Sequence, residues 1–221
     1  GWTPLFAACD KGHVDAARLL LENGAVVDRA EKDGWTPLFW ACWKGHVDAA
    51  RLVLDKGAEV NRAINNGATP LYAACEQGRI DAARLLLDNG AEVDRASFNG
   101  WTPLYIACRE GHVDAARMLL EKGAEVDRAS VNVDRAMEKG WTPLLVACEK
   151  GHVDTARLLL DKGAEVDRAK HVGGATPLFG ACLNGHVDVA RLLLVKGADI
   201  DQAMEGGFTP LHIACHQGHV D

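Results

Sequence analysis

The 221-residue chain has no uninterrupted apolar run near the roughly 18 residues a membrane span requires, because Arg, Asp, Lys or Gly breaks every leucine-rich stretch. No basic segment leads into an apolar one, so no secretory signal is read and no membrane insertion is expected of this segment. An excess of positive charge is also missing. The 24 Lys and Arg face 31 Asp and Glu, and the resulting net charge of −7 argues against nucleic acid as a partner. Cysteine is sparse: seven in 221 residues, about 3%, falls short of the roughly 8–10% of a disulfide scaffold, and an odd number cannot all pair internally. Reduced thiols are expected, and with them an intracellular, cytoplasmic location. Intrinsic disorder is disfavoured by 48% hydrophobic against 25% charged residues, enough apolar material for a sizeable core.

Proline is as scarce as cysteine, and the two counts match at seven. The match comes from a repeat. Gly-x-Thr-Pro-Leu begins at Gly1, Gly34, Gly67, Gly100, Gly140, Gly174 and Gly207, at intervals of 33, 33, 33, 40, 34 and 33 residues. Every Pro lies in that string, and every Cys follows its Pro by five residues.

Within a unit the residues predict two short antiparallel helices and an extended turn. Thr3 is a good N-cap, and Pro4 suits the first helical position, where its missing N–H costs nothing. The helix runs to Gly12, which can take the left-handed conformation that closes it. A second helix begins at Val14, with Asp15 in the first turn where the macrodipole favours an anion, and Gly24 supplies the stop. Residues 25–33 then extend into a hairpin-like connection to the next unit.

Gly-x-Thr-Pro-Leu, Ala-Cys-x-x-Gly-His-Val-Asp and Arg-Leu-Leu-Leu-x-x-Gly-Ala-x-Val at a 33-residue period resemble the ankyrin repeat along the whole chain. One departure stands out: where the family has His after Thr-Pro-Leu, six units carry Phe6, Phe39, Tyr72, Tyr105, Leu145 and Phe179, and only His212 matches. The resemblance implies an all-α fold, an elongated α solenoid of helix-turn-helix units with hairpin-like loops. One array is expected over 1–221, in units 1–33, 34–66, 67–99, 100–139, 140–173, 174–206 and a partial 207–221. Layers at roughly 8–10 Å make it a rod of about 60 Å. Neither end carries a polar capping repeat, so the chain is read as a fragment of a longer array.

Six His residues have an Asp two positions on, from His13/Asp15 to His219/Asp221. A catalytic site needs one convergence of groups, whereas near-identical copies along a rod mark a structural task, so no enzyme activity is expected. Layers about 9 Å apart cannot bring two nitrogens within ~2.1 Å of one zinc, so no metal is expected. The same spacing exceeds the roughly 7 Å reach of a disulfide, leaving seven free thiols that pack like alanine. Each repeated Arg (Arg18, Arg51, Arg84, Arg117, Arg157 and Arg191) follows an Asp by three residues, a spacing that predicts local pairing. No phosphate-cradling loop, cofactor site or small-molecule substrate is expected.

Function should lie where the units differ: the hairpin tips, the residue after the first Gly, the residue after Thr-Pro-Leu, and the pair before Gly-His. The resemblance implies that tips and first helices line a concave face that grips partner proteins. The candidate residues are Lys32, Asp33, Trp35, Trp43, Lys44, Asn66, Glu76, Phe98, Asn99, Trp101, Arg109 and Trp141. Trp35, Trp43 and Lys44 are expected to form a hot spot, since Trp and Arg dominate such clusters. Trp40 reads as packing between repeats. In the 40-residue interval, Val126-Asp127-Arg128-Ala129 recurs at Val133-Asp134-Arg135-Ala136, a duplication of seven residues read as a neutral loop insertion. The leading expectation is a non-catalytic scaffold that binds other proteins. The alternatives are a targeting arm of an enzyme or channel whose active domain lies outside the segment, and an expanded array that binds nothing tightly.

Overall fold

Each Thr-Pro pair starts a helix for a reason visible in its hydrogen bonds. The Thr3, Thr36, Thr69, Thr102, Thr142 and Thr176 hydroxyls accept the amide N–H three residues on, at 3.1–3.2 Å. Each following Pro occupies a position that has no helical acceptor to lose. A computed structural model describes residues 1–129, 140–170 and 172–219. Their helices fall in pairs: α1 (Pro4–Lys11) with α2 (Val14–Glu22), α3 (Pro37–Lys44) with α4 (Val47–Asp55), and α5 (Pro70–Glu76) with α6 (Ile80–Asp88). They continue as α7 (Pro103–Arg109) with α8 (Val113–Glu121), α9 (Pro143–Glu149) with α10 (Val153–Asp161), α11 (Pro177–Leu183) with α12 (Val187–Val195), and a single α13 (Pro210–Gln217). Among the described residues there is no strand. The hairpin-like connections are tight turns closed by backbone bonds such as Glu31 N–H to Trp35 C=O, 3.1 Å, and Ile64 N–H to Ala68 C=O, 3.0 Å.

First helices stack on first helices and second helices on second, so each pair meets only its neighbours. The core runs the length of the stack, with Leu38, Leu71, Leu104, Leu144 and Leu178 at its centre and Cys42, Cys75, Cys108 and Cys148 fully buried beside them. All seven cysteines are free. Burial pushes the Cys9 thiol up to about 12, and the more deeply buried thiols further still, which keeps them neutral. The expected burial fails at the last two: Cys182 is half-buried, and Cys215 is exposed on α13, which packs on α11 alone.

The repeated Gly-His works between layers. Nε2 of His46, His112, His152 and His186 donates to a carbonyl at the end of the preceding first helix: Asp10, Glu76, Arg109 and Glu149, at 2.9–3.1 Å. Arg79 does the same from Nε to the Trp43 carbonyl, at 3.4 Å. The imidazole lies against the glycine of the layer before it, so a Cβ on Gly78, Gly111 or Gly151 would come within 2.8 Å of the ring. A second bond crosses each of the first five boundaries: Asp28, Asn61, Asp94, Asp127 and Asp167 accept an amide N–H from the next layer at 2.9–3.1 Å. Both bonds persist across the 40-residue interval, through His152 to Arg109 and Glu165 to Asp127, so the stack keeps its register there. The inserted segment at 130–136 lies outside the described residues, as do His171 and the last two residues, including Asp221.

One expectation needs correction. Among the described residues, the Arg–Asp pairs within the second helices do not form. The i,i+3 pairs lie in the turns instead, Arg95 to Glu92 at 3.1 Å and Arg168 to Glu165 at 3.3 Å. Arg84 and Arg157 act on Asp88 and Asp161, one helical turn after them, where they add to the hydrogen bonds from Lys122 and Lys196 that hold those carboxyls low.

Gly111 (φ +74°) and Gly123 (φ +91°) both use backbone that favours glycine, but only Gly111 meets a neighbouring ring; Gly123 faces open space. Gly123→Ala should lower stability by about 1 kcal/mol through strain alone. Gly111→Ala should cost at least ~1 kcal/mol more by displacing His152. Urea denaturation midpoints of the two variants test this, and equal shifts would contradict the interlayer role of the glycine.

Candidate functional site

The face built from first helices and hairpins holds a cavity of about 360 Å3 spanning three layers. One wall is Trp35 with Phe39, Trp40 and Trp43 from α3; the floor is Ala68, Tyr72 and Glu76, before and on α5; the far side is Ser97, Asn99 and Trp101. Ile64 and Asn66 from the intervening hairpin complete it. Trp35, Ala68 and Trp101 hold the same register in successive units, so the space is where a ring is missing between two indoles.

The aromatic wall is internally braced. Trp40 sits 4.6 Å from Trp35 and 5.8 Å from Phe6 between ring centroids, and lies nearly parallel to Trp43 at 6.1 Å. Its indole N–H donates to the carboxylate of Asp10 in the preceding layer. Asp10 is only 7% exposed. Burial alone would raise its carboxyl, but bonds from Trp40 and Lys11 and the charges of Lys11 and Lys44 hold it below the ordinary 3.8. Trp40 therefore packs between repeats, as its sequence context predicts, and also lines the cavity.

Six of the twelve candidate residues line this cavity: Trp35, Trp43, Asn66, Glu76, Asn99 and Trp101. Lys44 does not extend over it. Its ammonium lies 5.5 Å from the Trp40 ring centre and 4.0 Å from Asp10, toward the first layer. Arg109 stacks on Trp101 at 5.0 Å and approaches Glu110 at 3.6 Å. Trp141 carries Lys170 at 5.1 Å and belongs to a separate place on the stack. Lys32 and Asp33 are exposed at their hairpin tip, where their carbonyls accept from Asn65. Phe98, 72% exposed, lies against Gly67 and donates its amide N–H to the Asn66 carbonyl at 2.9 Å. Sequence reasoning missed Phe39, Trp40, Ile64, Ala68, Tyr72 and Ser97 as cavity residues. The small Ala68 between two tryptophan registers was the signal that could have found it.

The cavity's carboxylate is Glu76. Burial and the charge of Glu110 raise its carboxyl above the ordinary 4.5, against the pull of Arg109. The Ser97 hydroxyl is buried with no hydrogen-bond partner. Among the described residues no three His, Cys, Asp or Glu side chains group as a metal site, and no helix is long and apolar enough to cross a membrane.

A family model described as "Ankyrin repeats (3 copies)" matches residues 1–64, 61–130, 128–204 and 168–221, the whole length of the chain. The chain belongs to the ankyrin-repeat family. The ankyrin array is also similar to the crystal structure of the human ASB11 ankyrin repeat domain, with 31% identity and a TM-score of 0.88, over 96% of this chain and 92% of that one. No curated protein matches it at the sequence level. Ankyrin repeats are in general non-catalytic protein-interaction modules.

Asp10→Ala would leave the Trp40 indole N–H without its acceptor, an expected loss of about 1–3 kcal/mol. Asp10 titrates below its ordinary 3.8 in the folded protein, so its ionic contribution is whole above that value and lost as the pH falls below it. Denaturation followed by tryptophan fluorescence should show a constant wild-type advantage from neutral pH down to that range, then a narrowing. A gap that closes well above it would contradict the assignment.

Proposed function

We infer that the array, as one body over residues 1–221, is a non-catalytic scaffold that holds a partner protein across the face of first helices and hairpins. The observation that carries this reading is the cavity of about 360 Å3 lined by four tryptophans, Phe39 and Tyr72. Large aromatic side chains around a concavity are what binding hot spots are made of, since each supplies much contact area at small entropic cost. The second helices present a different surface: Arg18, Arg51, Arg84, Arg117, Arg157 and Arg191 are exposed there in a regular row beside acidic residues. Binding in this reading proceeds through shape and side-chain complementarity over several layers, with Trp43 and Trp101 as anchors on opposite sides of the cavity.

Immobilised array should capture partner proteins from lysate, with the captured set identified by mass spectrometry. Trp43→Ala and Trp101→Ala should each weaken the main partner by more than ~1 kcal/mol, roughly fivefold or more in affinity. Arg117→Ala on the opposite surface should leave it unchanged, and helical content should be the same in all three. Retained affinity in both tryptophan variants would reject this face as the binding surface.

A further inference from the structure

We propose that the cavity between Trp35 and Trp101 binds an alkylated ammonium group, the methylated side chain of a lysine presented on a partner polypeptide. This deepens the scaffold reading and rests on it. Three features carry the assignment. The first is the lining: Trp35, Trp40, Trp43, Tyr72 and Trp101 border one cavity, and aromatic rings attract cations whose own hydration is weak, as Trp40 and Trp101 already do with Lys44 and Arg109.

The second is the charge balance. Glu76 lies on the floor, and its carboxylate makes neither ion pair nor hydrogen bond among the described residues. The charges that act on it are Glu110 and Arg109. Arg109 is already engaged by Glu110 and by the Trp101 ring, so the three groups sum to one uncompensated negative charge. Lys44, the other nearby cation, is drawn toward Asp10. A ligand cation supplies the missing partner, and an apolar ligand would leave Glu76 desolvated without one.

The third is Ser97, whose hydroxyl is more than nine-tenths buried in the wall and has no partner. A peptide running past an occupied cavity offers a backbone carbonyl to that donor. The volume lies in the range of small-ligand sites, roughly 300–1,000 Å3. Few acceptors line it, because Asn66 Oδ1 is committed to the Ala68 amide N–H at 2.9 Å. An ammonium bearing three N–H groups would forfeit water bonds there that an alkylated one never makes.

The test is an NMR titration of the intact chain with short Gly/Ser peptides, each carrying one probe residue: trimethyl-lysine, unmodified lysine, or the neutral isostere with carbon in place of the quaternary nitrogen. The trimethyl-lysine peptide should shift the indole N–H resonances of Trp35, Trp43 and Trp101 saturably. The neutral isostere should bind about tenfold more weakly, the factor that loss of a desolvated cation–π contact implies. Unmodified lysine should also bind more weakly. Glu76→Gln should weaken the charged probe several-fold and leave the isostere unaffected. Ala68→Trp installs the residue that units at Trp2, Trp35, Trp101 and Trp141 already carry in this register, so the fold accepts it, and it should abolish binding by filling the space. Equal affinity for the charged and neutral peptides, tighter binding of unmodified lysine, or no saturable shift would overturn the proposal. If the peptides fail while capture that depends on Trp43 and Trp101 persists, the ammonium assignment falls and the scaffold reading stands. Loss of both removes both.

Discussion

A histidine ring lying over the bare α-carbon of the glycine before it sets the spacing on which the rest of this molecule depends. The ring's Nε2 reaches a carbonyl at the end of the preceding first helix, and the absent Cβ lets it come that close. Leucines and cysteines then meet at fixed separation, and the Asp-to-amide bonds on the hairpin side fall into place with them. No helix pair could bury its apolar face alone, so the fold is a sum of boundaries rather than a single core. The same geometry holds the seven thiols and the six repeated imidazoles a layer apart from their own kind, each against unlike neighbours.

The cavity is a consequence of that regularity being broken in one register. Tryptophan follows the first Gly at Trp35 and Trp101, and the alanine between them leaves a gap one ring wide. Trp40 and Trp43 replace smaller residues on the helix facing that gap, and Asp10 in the preceding layer anchors the first of them through its indole N–H. Glu76 sits at the bottom with a carboxyl raised by burial and by Glu110. A site assembled in this way needs no dedicated loop or domain; three ordinary layers with four unusual side chains suffice.

The fold is legible in the sequence because its signals are local. Thr-Pro begins each first helix, and glycine closes it through contacts within a few residues. The hairpin was legible as a turn, though the extended segment forms no strand among the described residues. What was not legible is whatever crosses a layer. The partner of Trp40 is thirty residues away, and the partner of each imidazole lies a full unit behind it, where i,i+2 and i,i+3 counting cannot reach. Half of the candidate binding residues line the cavity, which lies where the units differ. Lys44 and Arg109 turn aside because nearby carboxylates and rings engage them first. His212 shows the converse case: it alone makes the reciprocal cap with Thr209, while the aromatic residues elsewhere at that position are buried instead.

Hydrogen exchange resolved by helix tests the central claim, that stability resides in the boundaries between layers. The central helices α5 to α8, with at least two stacked layers on either side, should exchange most slowly, and protection should fall stepwise toward α1 and α13. Equal protection in every helix pair, or protection that follows each pair's own sequence and ignores its place in the stack, would contradict it.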